Sequence, residues 1–248
     1  MRYYVTSDPH AFLTPMLQAL NEAGYKGEPD QKIVVLGDVM DRGKEPLEMQ
    51  KFLLDHLERD DIILVKGNHE DLFVELATID GGKAEEHHVH NGTFRTGYQL
   101  TGWHHQTARA RPYDFAMALQ QTPFYREIIP AMSDYWEAGD YIGVHGWLPI
   151  RRPYSFCRID PNWRDAGKDT WYRARWDNGM YCFLFDRVPE KTVLCGHYHT
   201  SFAHSRYEHN GPEFGRGADF SPYYGKGIIA LDACTALSKK VNCVMVEA

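Results

Sequence analysis

The sequence predicts an α/β fold organised as one domain, on three observations. Short apolar, β-rich runs alternate with segments of helical periodicity. Each run ends in a glycine or a polar cluster, as strands feeding loops do. No repeat, low-complexity tract or linker interrupts the 248 residues, and a hydrophobic content of 43% suffices for one sizeable core.

In chain order, "YYVTSD" (3–8), "KIVVLGD" (32–38) and "DIILVKG" (61–67) read as the first three strands. Between the first two, Leu13, Met16, Leu17 and Leu20 fall at helical spacing, with Thr14-Pro15 as a start signal and Gly24 as a stop. Leu47, Phe52, Leu53, Leu54 and Leu57 mark a second helix after Pro46. The stretch from about 80 to 135, rich in His, Gln and aromatics, reads as a helical and loop insertion over one face of the core. Strands follow at "YIGVHG" (141–146), "TVLCGH" (192–197), "GIIALDA" (227–233) and "VNCVMVE" (241–247), the last two expected as an antiparallel pair. An irregular stretch, 150 to 180, carries Arg151, Arg152, Arg158, Arg164, Arg173 and Arg175 among aromatics.

Composition narrows the function classes. A net charge of -7 offers no overall attraction to phosphate backbones or anionic lipid, so neither nucleic acid nor membrane is an expected partner. The N-terminal "MRYYVTSDPH" has no apolar h-region, and the five cysteines form an odd set without a CxxC pair. Free thiols in a reducing, cytoplasmic setting are the expectation, and a metal–thiolate cluster is disfavoured.

Chemistry gathers where the strands end. Asp8 and His10 follow the first strand, Asp38 the second, Asn68 and His69 the third, His145 the fourth, and His197 and His199 the fifth. Ligands in α/β sheets collect outside the carboxyl ends of strands, so residues far apart in sequence can converge there. Carboxylate, imidazole and carboxamide together suit Mn²⁺, Fe or Zn²⁺ better than Ca²⁺, and the donors suffice for two ions. Asp38, behind a glycine on the second strand, is the natural bridging carboxylate. The histidines of "EEHHVH" (85–90) and "WHH" (103–105) lack a strand-end setting and read as a solvated or lid surface.

"DPH" (8–10), "GDVMDRG" (37–43), "GNHE" (67–70), "GVHG" (143–146) and "GHYH" (196–199), in that order and spacing, resemble the calcineurin-like metallophosphoesterase superfamily. "GDVMDRG" and "GNHE" point to the branch holding the serine/threonine phosphatases of bacteria and phage and the symmetrical dinucleoside tetraphosphatases. The resemblance implies two mixed β-sheets packed face to face, flanked by helices, with a dinuclear metal centre at the strand ends. It implies that Asp8 and His10 bind the first ion, that Asp38 bridges, and that Asn68, His145 and His197 bind the second. His199 would add a ligand to the first ion. Arg42 would hold a phosphate oxygen, His69 would act as general acid with Asp41 in support, and Arg175 would be a second phosphate ligand, with Arg173 as its competitor. Mn²⁺ is the expected metal, with Fe or Zn²⁺ as alternatives.

Two departures from that branch stand in the chain: "SDPHA" lacks the glycines usual around the first Asp and His, and "GHYH" carries a second histidine. Glu70 reads as a structural hydrogen-bond acceptor and Asp232 as a loop brace. The expected activity is a protein serine/threonine phosphatase-type phosphomonoesterase using a metal-bridging hydroxide, acting on a phosphoprotein or a small phosphorylated metabolite or nucleotide. A dinucleoside polyphosphate hydrolase is the alternative, and a non-catalytic metal-binding regulatory protein a more distant one.

Overall fold

The computed structural model describes residues 1–78, 85–151 and 157–248. Strands β1 (Arg2–Thr6), β2 (Gln31–Leu36) and β3 (Ile62–Val65) run parallel, connected by helices α1 (Leu13–Glu22) and α2 (Pro46–Glu58). Alternation along the strands divides their side chains. Tyr4, Ile33, Val35, Ile62 and Leu64 pack beneath helices, whereas Val5, Val34, Leu36 and Val65 face the other way. Both faces are therefore buried, which is why these runs are almost uninterruptedly apolar.

The second face meets another sheet. Strands β4 (Trp136–Ala138), β5 (Tyr141–Gly143), β6 (Thr192–Cys195), β7 (Tyr223–Gly225) and β8 (Ile228–Ala230) are arranged β4-β5-β6-β8-β7. The three central strands are parallel, and each edge strand pairs antiparallel with its neighbour. Trp136, Leu194 and Leu231 enter the layer between the sheets, against Val5, Val34 and Leu36.

The expected pairing of the last two strands is corrected here. Strand β9 (Cys243–Glu247) lies antiparallel to β1, with Val244 opposite Val5, and closes the first sheet as β3-β2-β1-β9. Strand β8 belongs to the second sheet and pairs with β7, which the sequence reading missed. Both runs alternate alike, so pattern alone does not select a partner. The open edge of β1 does, because it lets Val244 and Val246 fill the layer between the sheets.

After β3 the chain enters α3 (Asn68–Thr78), then α4 (Glu86–Asn91), α5 (Thr93–Thr101), α6 (His105–Ala110), α7 (Pro112–Leu119), a π-turn (Phe124–Ile128) and α8 (Ile129–Ala131). Phe94, Phe115, Leu119 and Phe124 join Phe73 and Met49 in the core beneath these helices, so the segment is built into the first layer. The first residues of the expected 80–135 insertion, and Arg152, lie outside the described residues. No described helix is long and apolar enough to cross a membrane.

Candidate metal centre

The carboxyl ends of β1, β2, β3, β5 and β6 open on one side of the two sheets. There the backbone is bent hard: Asp8 (φ 52°), His10 (φ 48°), Asp38 (φ 53°), Asp41 (φ 72°), Arg42 (φ 57°) and His197 (φ 64°) are all left-handed. Each such residue costs about 1–3 kcal/mol, and such strain persists only where the surroundings over-determine it. Loop-to-loop hydrogen bonds do so: the amides of His10 and Ala11 donate to the carbonyls of Asp38 and Val39 at 2.9 and 2.8 Å. Gly67 and Gly196 allow the close approach, since a Cβ on either would run into Asp38 Oδ1 or Asp8 Oδ2.

Asp38 sits between two groups. Its Oδ1 lies 3.3 Å from His145 Nε2, and its Oδ2 lies 3.7 Å from both His10 Nε2 and His69 Nε2. His10, Asp38 and His69 form one potential ligand set, and Asp38, His145 and His197 the other; Asp8, expected at the first ion, is in neither. Asn68 Oδ1, in the first turn of α3, is 2.8 Å from both His145 Nε2 and His197 Nδ1. His145 Nδ1 lies 2.7 Å from the Leu36 carbonyl and His10 Nδ1 2.9 Å from that of Met40, so each ring donates there and turns a bare Nε2 lone pair inward.

Burial holds His10 and His145 well below the usual imidazole range and brings His197 down to about 4. Burial, then the neighbouring carboxylate of Asp232 for Asp8 and of Asp8 for Asp38, pushes both carboxyls well above theirs. Imidazoles and carboxyls thus converge where the charged form of each is disfavoured. A divalent cation suits both, so this donor chemistry fits two ions sharing Asp38.

Supporting contacts fix the donors. Glu70, fully buried, accepts from the amides of Gly67 (2.7 Å), Asp38 (3.0 Å) and Val39 (3.0 Å), which ties the loop after β2 to the loop after β3. Asp8 Oδ2 accepts from Ser7 Oγ at 2.5 Å and from the His197 amide at 3.0 Å. Asp232 Oδ1 takes the Cys234 amide at 2.7 Å, a loop brace as its sequence setting suggests.

Beside the metal donors stands an acid–base group. His69 Nδ1 meets Asp41 Oδ2 at 2.6 Å, and its Nε2 meets Arg42 Nη2 at 3.0 Å. Arg42 Nη1 reaches His10 Nε2 at 2.9 Å. Thr93 Oγ1, which the sequence reading passed over, donates to the same Asp41 oxygen at 2.7 Å. A threonine at the start of a helix carries only a helix-start signal, so nothing in the sequence separates it from an ordinary terminal residue.

Three expectations land elsewhere. His199 is outside both ligand sets: its Nε2 pairs with Glu213 Oε1 at 3.0 Å, and its ring lies between Tyr198 and Phe214. Arg175 is only 6% exposed and spends Nη1 on Asp71 (2.8 Å) and Nη2 on Asp134 (2.5 Å). Arg173 is exposed and lines a cavity of about 740 Å³ with Arg151 and Arg158. Glu75 of α3 and, from the histidine-rich segment, His87 and His88 do approach one another. The Glu85 amide donates to His88 Nδ1 at 3.1 Å, however, which leaves the proton on Nε2 and no lone pair facing Glu75.

Two mixed sheets flanked by helices, with a carboxylate shared between two imidazole sets at the strand ends, define a metallophosphoesterase-type hydrolase. The chain belongs to the calcineurin-like phosphoesterase family, whose model matches residues 1–225. Solved structures share the fold. A cold-active protein tyrosine phosphatase aligns at 17% identity and TM-score 0.55, covering 99% of this chain and 73% of that one. Another such enzyme, from a psychrophilic Shewanella, aligns at 15% identity and TM-score 0.50, covering 99% and 75%. A protein serine/threonine phosphatase from Saccharomyces cerevisiae aligns at 14% identity and TM-score 0.50, covering 100% and 80%. No curated protein sequence matches this one.

Proposed function

We propose that the protein is a metal-dependent phosphomonoesterase acting on phosphoproteins or small phosphorylated metabolites, with Asp8, His10 and Asp38 at a first ion and Asp38, Asn68, His145 and His197 at a second. The observation that carries the reading is Asp38, whose two oxygens face different imidazole sets beside the Asp41–His69 pair. His199 is left out of the first ion's shell because its Nε2 is committed to Glu213. Divalent ions, Mn²⁺ by preference, would lower the pKa of water and offset charge on the phosphoryl oxygens.

The protein's own groups do the rest. Arg42 competes with any ion for the His10 lone pair, so its planar fork is the group freed to hold phosphate oxygens. His69, with Asp41 holding the proton on Nδ1, gives the leaving alkoxide a proton from Nε2, which takes that proton from solvent once Arg42, its donor here, turns to phosphate. Arg175 acts on phosphate only by exchanging a carboxylate partner, and its present role is to tie Asp71 to Asp134. A dinucleoside polyphosphate hydrolase is the second reading; the cavity lined by Arg151, Arg158 and Arg173 carries Asp160, Asp177 and Asp186 as well, so a further phosphate there would have to displace carboxylates from the arginines.

Incubation with Mn²⁺ and, in turn, a phosphoserine peptide, an aryl phosphomonoester, a phosphodiester and a dinucleoside tetraphosphate tests both, with Asp38→Asn as control. Monoester turnover above the control is expected. Turnover confined to the tetraphosphate would replace the first reading with the second, and none above the control would sink the proposed reaction for these substrates.

A further inference from the structure

The corner between α4 and α5 touches three consecutive residues of the loop after β2. Asn91 Oδ1 lies 3.5 Å from Arg42 Nη2, Thr93 Oγ1 donates to Asp41 Oδ2 at 2.7 Å, and Arg95 Nη2 donates to the Gly43 carbonyl at 2.9 Å. The corner can come this close because Gly92, with φ of 91°, has no Cβ; one would stand 2.9 Å from the Arg42 amide. Thr93 itself is fully buried, and its hydroxyl proton goes to the oxygen that also receives His69 Nδ1 at 2.6 Å.

Two donors on one carboxylate oxygen set the direction in which it points. Without the hydroxyl, Asp41 has one side-chain partner and is free to turn about its Cβ–Cγ bond away from Nδ1. Helix α5 is a rigid support for that task, since Phe94 beside Thr93 is packed in the main core and α5 rests on α3, which carries His69.

We propose that Thr93 is a positioning residue for the proton donor, acting on His69 through Asp41. The inference rests on the reading of His69 as general acid, and it places a determinant of leaving-group protonation in the helical segment rather than at a strand end.

The test compares Thr93→Val, Thr93→Ser and His69→Ala in the Mn²⁺-loaded enzyme on a phosphoserine peptide and on an aryl phosphate with a low-pKa leaving group. Thr93→Val should lower kcat on the peptide about tenfold, the worth of one hydrogen bond to a charged group, with KM and the aryl rate within about twofold. Thr93→Ser should restore the peptide rate. Equal losses on both substrates, or no recovery with serine, would mean that Thr93 is merely structural. If His69→Ala loses the peptide rate and Thr93→Val does not, the inference alone falls. If His69→Ala also keeps the peptide rate, the general-acid reading falls with it. Should Thr93→Val fail to fold, Thr93→Ala, which adds no bulk, carries the same comparison.

Discussion

His69 stands between a carboxylate on Nδ1 and a guanidinium on Nε2, and in the proposed role Arg42 must turn away so that Nε2 can take up and pass on a proton. Removing that proton donor matters most where the leaving group cannot depart unaided. We expect His69→Ala to lower turnover of a phosphoserine peptide by about 10²–10⁴-fold while sparing an activated aryl ester, read from kcat on the two substrates. Glu70 illustrates the other kind of site residue. It binds no ion in this reading, yet three backbone amides depend on it. Glu70→Gln puts an NH₂ where one of those amides needs an acceptor, and should cost about 1–3 kcal/mol in urea unfolding and weaken Mn²⁺ binding in titration calorimetry. Both residues stand out in "GNHE" as an imidazole and a carboxylate directly after a strand. Thr93 was not, because its importance lies in what stands 2.7 Å away and 52 positions earlier.

At the scale of elements, the site is as firm as the layer between the sheets. Leu36 ends β2 two residues before Asp38, is fully buried, and gives its carbonyl to His145. Leu36→Ala should destabilise the fold by about 2–5 kcal/mol through the cavity it opens, measured by chemical denaturation, and should loosen the second ligand set along with it. Farther out, α9 (Ser201–Tyr207) is fastened by His204, whose Nδ1 meets Glu208 at 2.6 Å and whose Nε2 meets the Ser221 carbonyl at 3.0 Å. Burial alone would lower its pKa, but these hydrogen bonds prevail and raise it above 6.5. The folded state therefore binds the proton more tightly than the unfolded chain. His204 contributes stability that is full below pH 6.5 and disappears as pH climbs through the raised value. Unfolding free energies of wild type and His204→Gln should converge as pH rises from about 6 to 9. The edge strands β4 and β7 escaped the sequence reading because neither sits in a longer apolar run, as the equally short β5 and β8 do, and β8 and β9 were paired wrongly because two alternating runs do not reveal which sheet edge is open.

Across the whole molecule, ions at the proposed centre would couple folding to metal binding. A cation between them would offset the crowding of the Asp8 and Asp38 carboxyls. Mn²⁺ at about a hundredfold excess over its Kd should raise Tm by about 5–10 °C, with EDTA reversing the gain, in a thermal melt. Asp38→Asn should abolish both turnover and that shift, because neither ligand set is complete without it. Sequence alone determined that donor-type residues follow five strands, since residue type and strand-end position are local facts written in consecutive residues. Only the tertiary structure decided that the second imidazole of "GHYH" turns to Glu213, that Arg175 is held by two carboxylates, and that the helical segment reaches Asp41 through Thr93. Those outcomes depend on which neighbours distant elements bring within hydrogen-bond reach, and no local pattern encodes a distance between residues that packing alone makes adjacent.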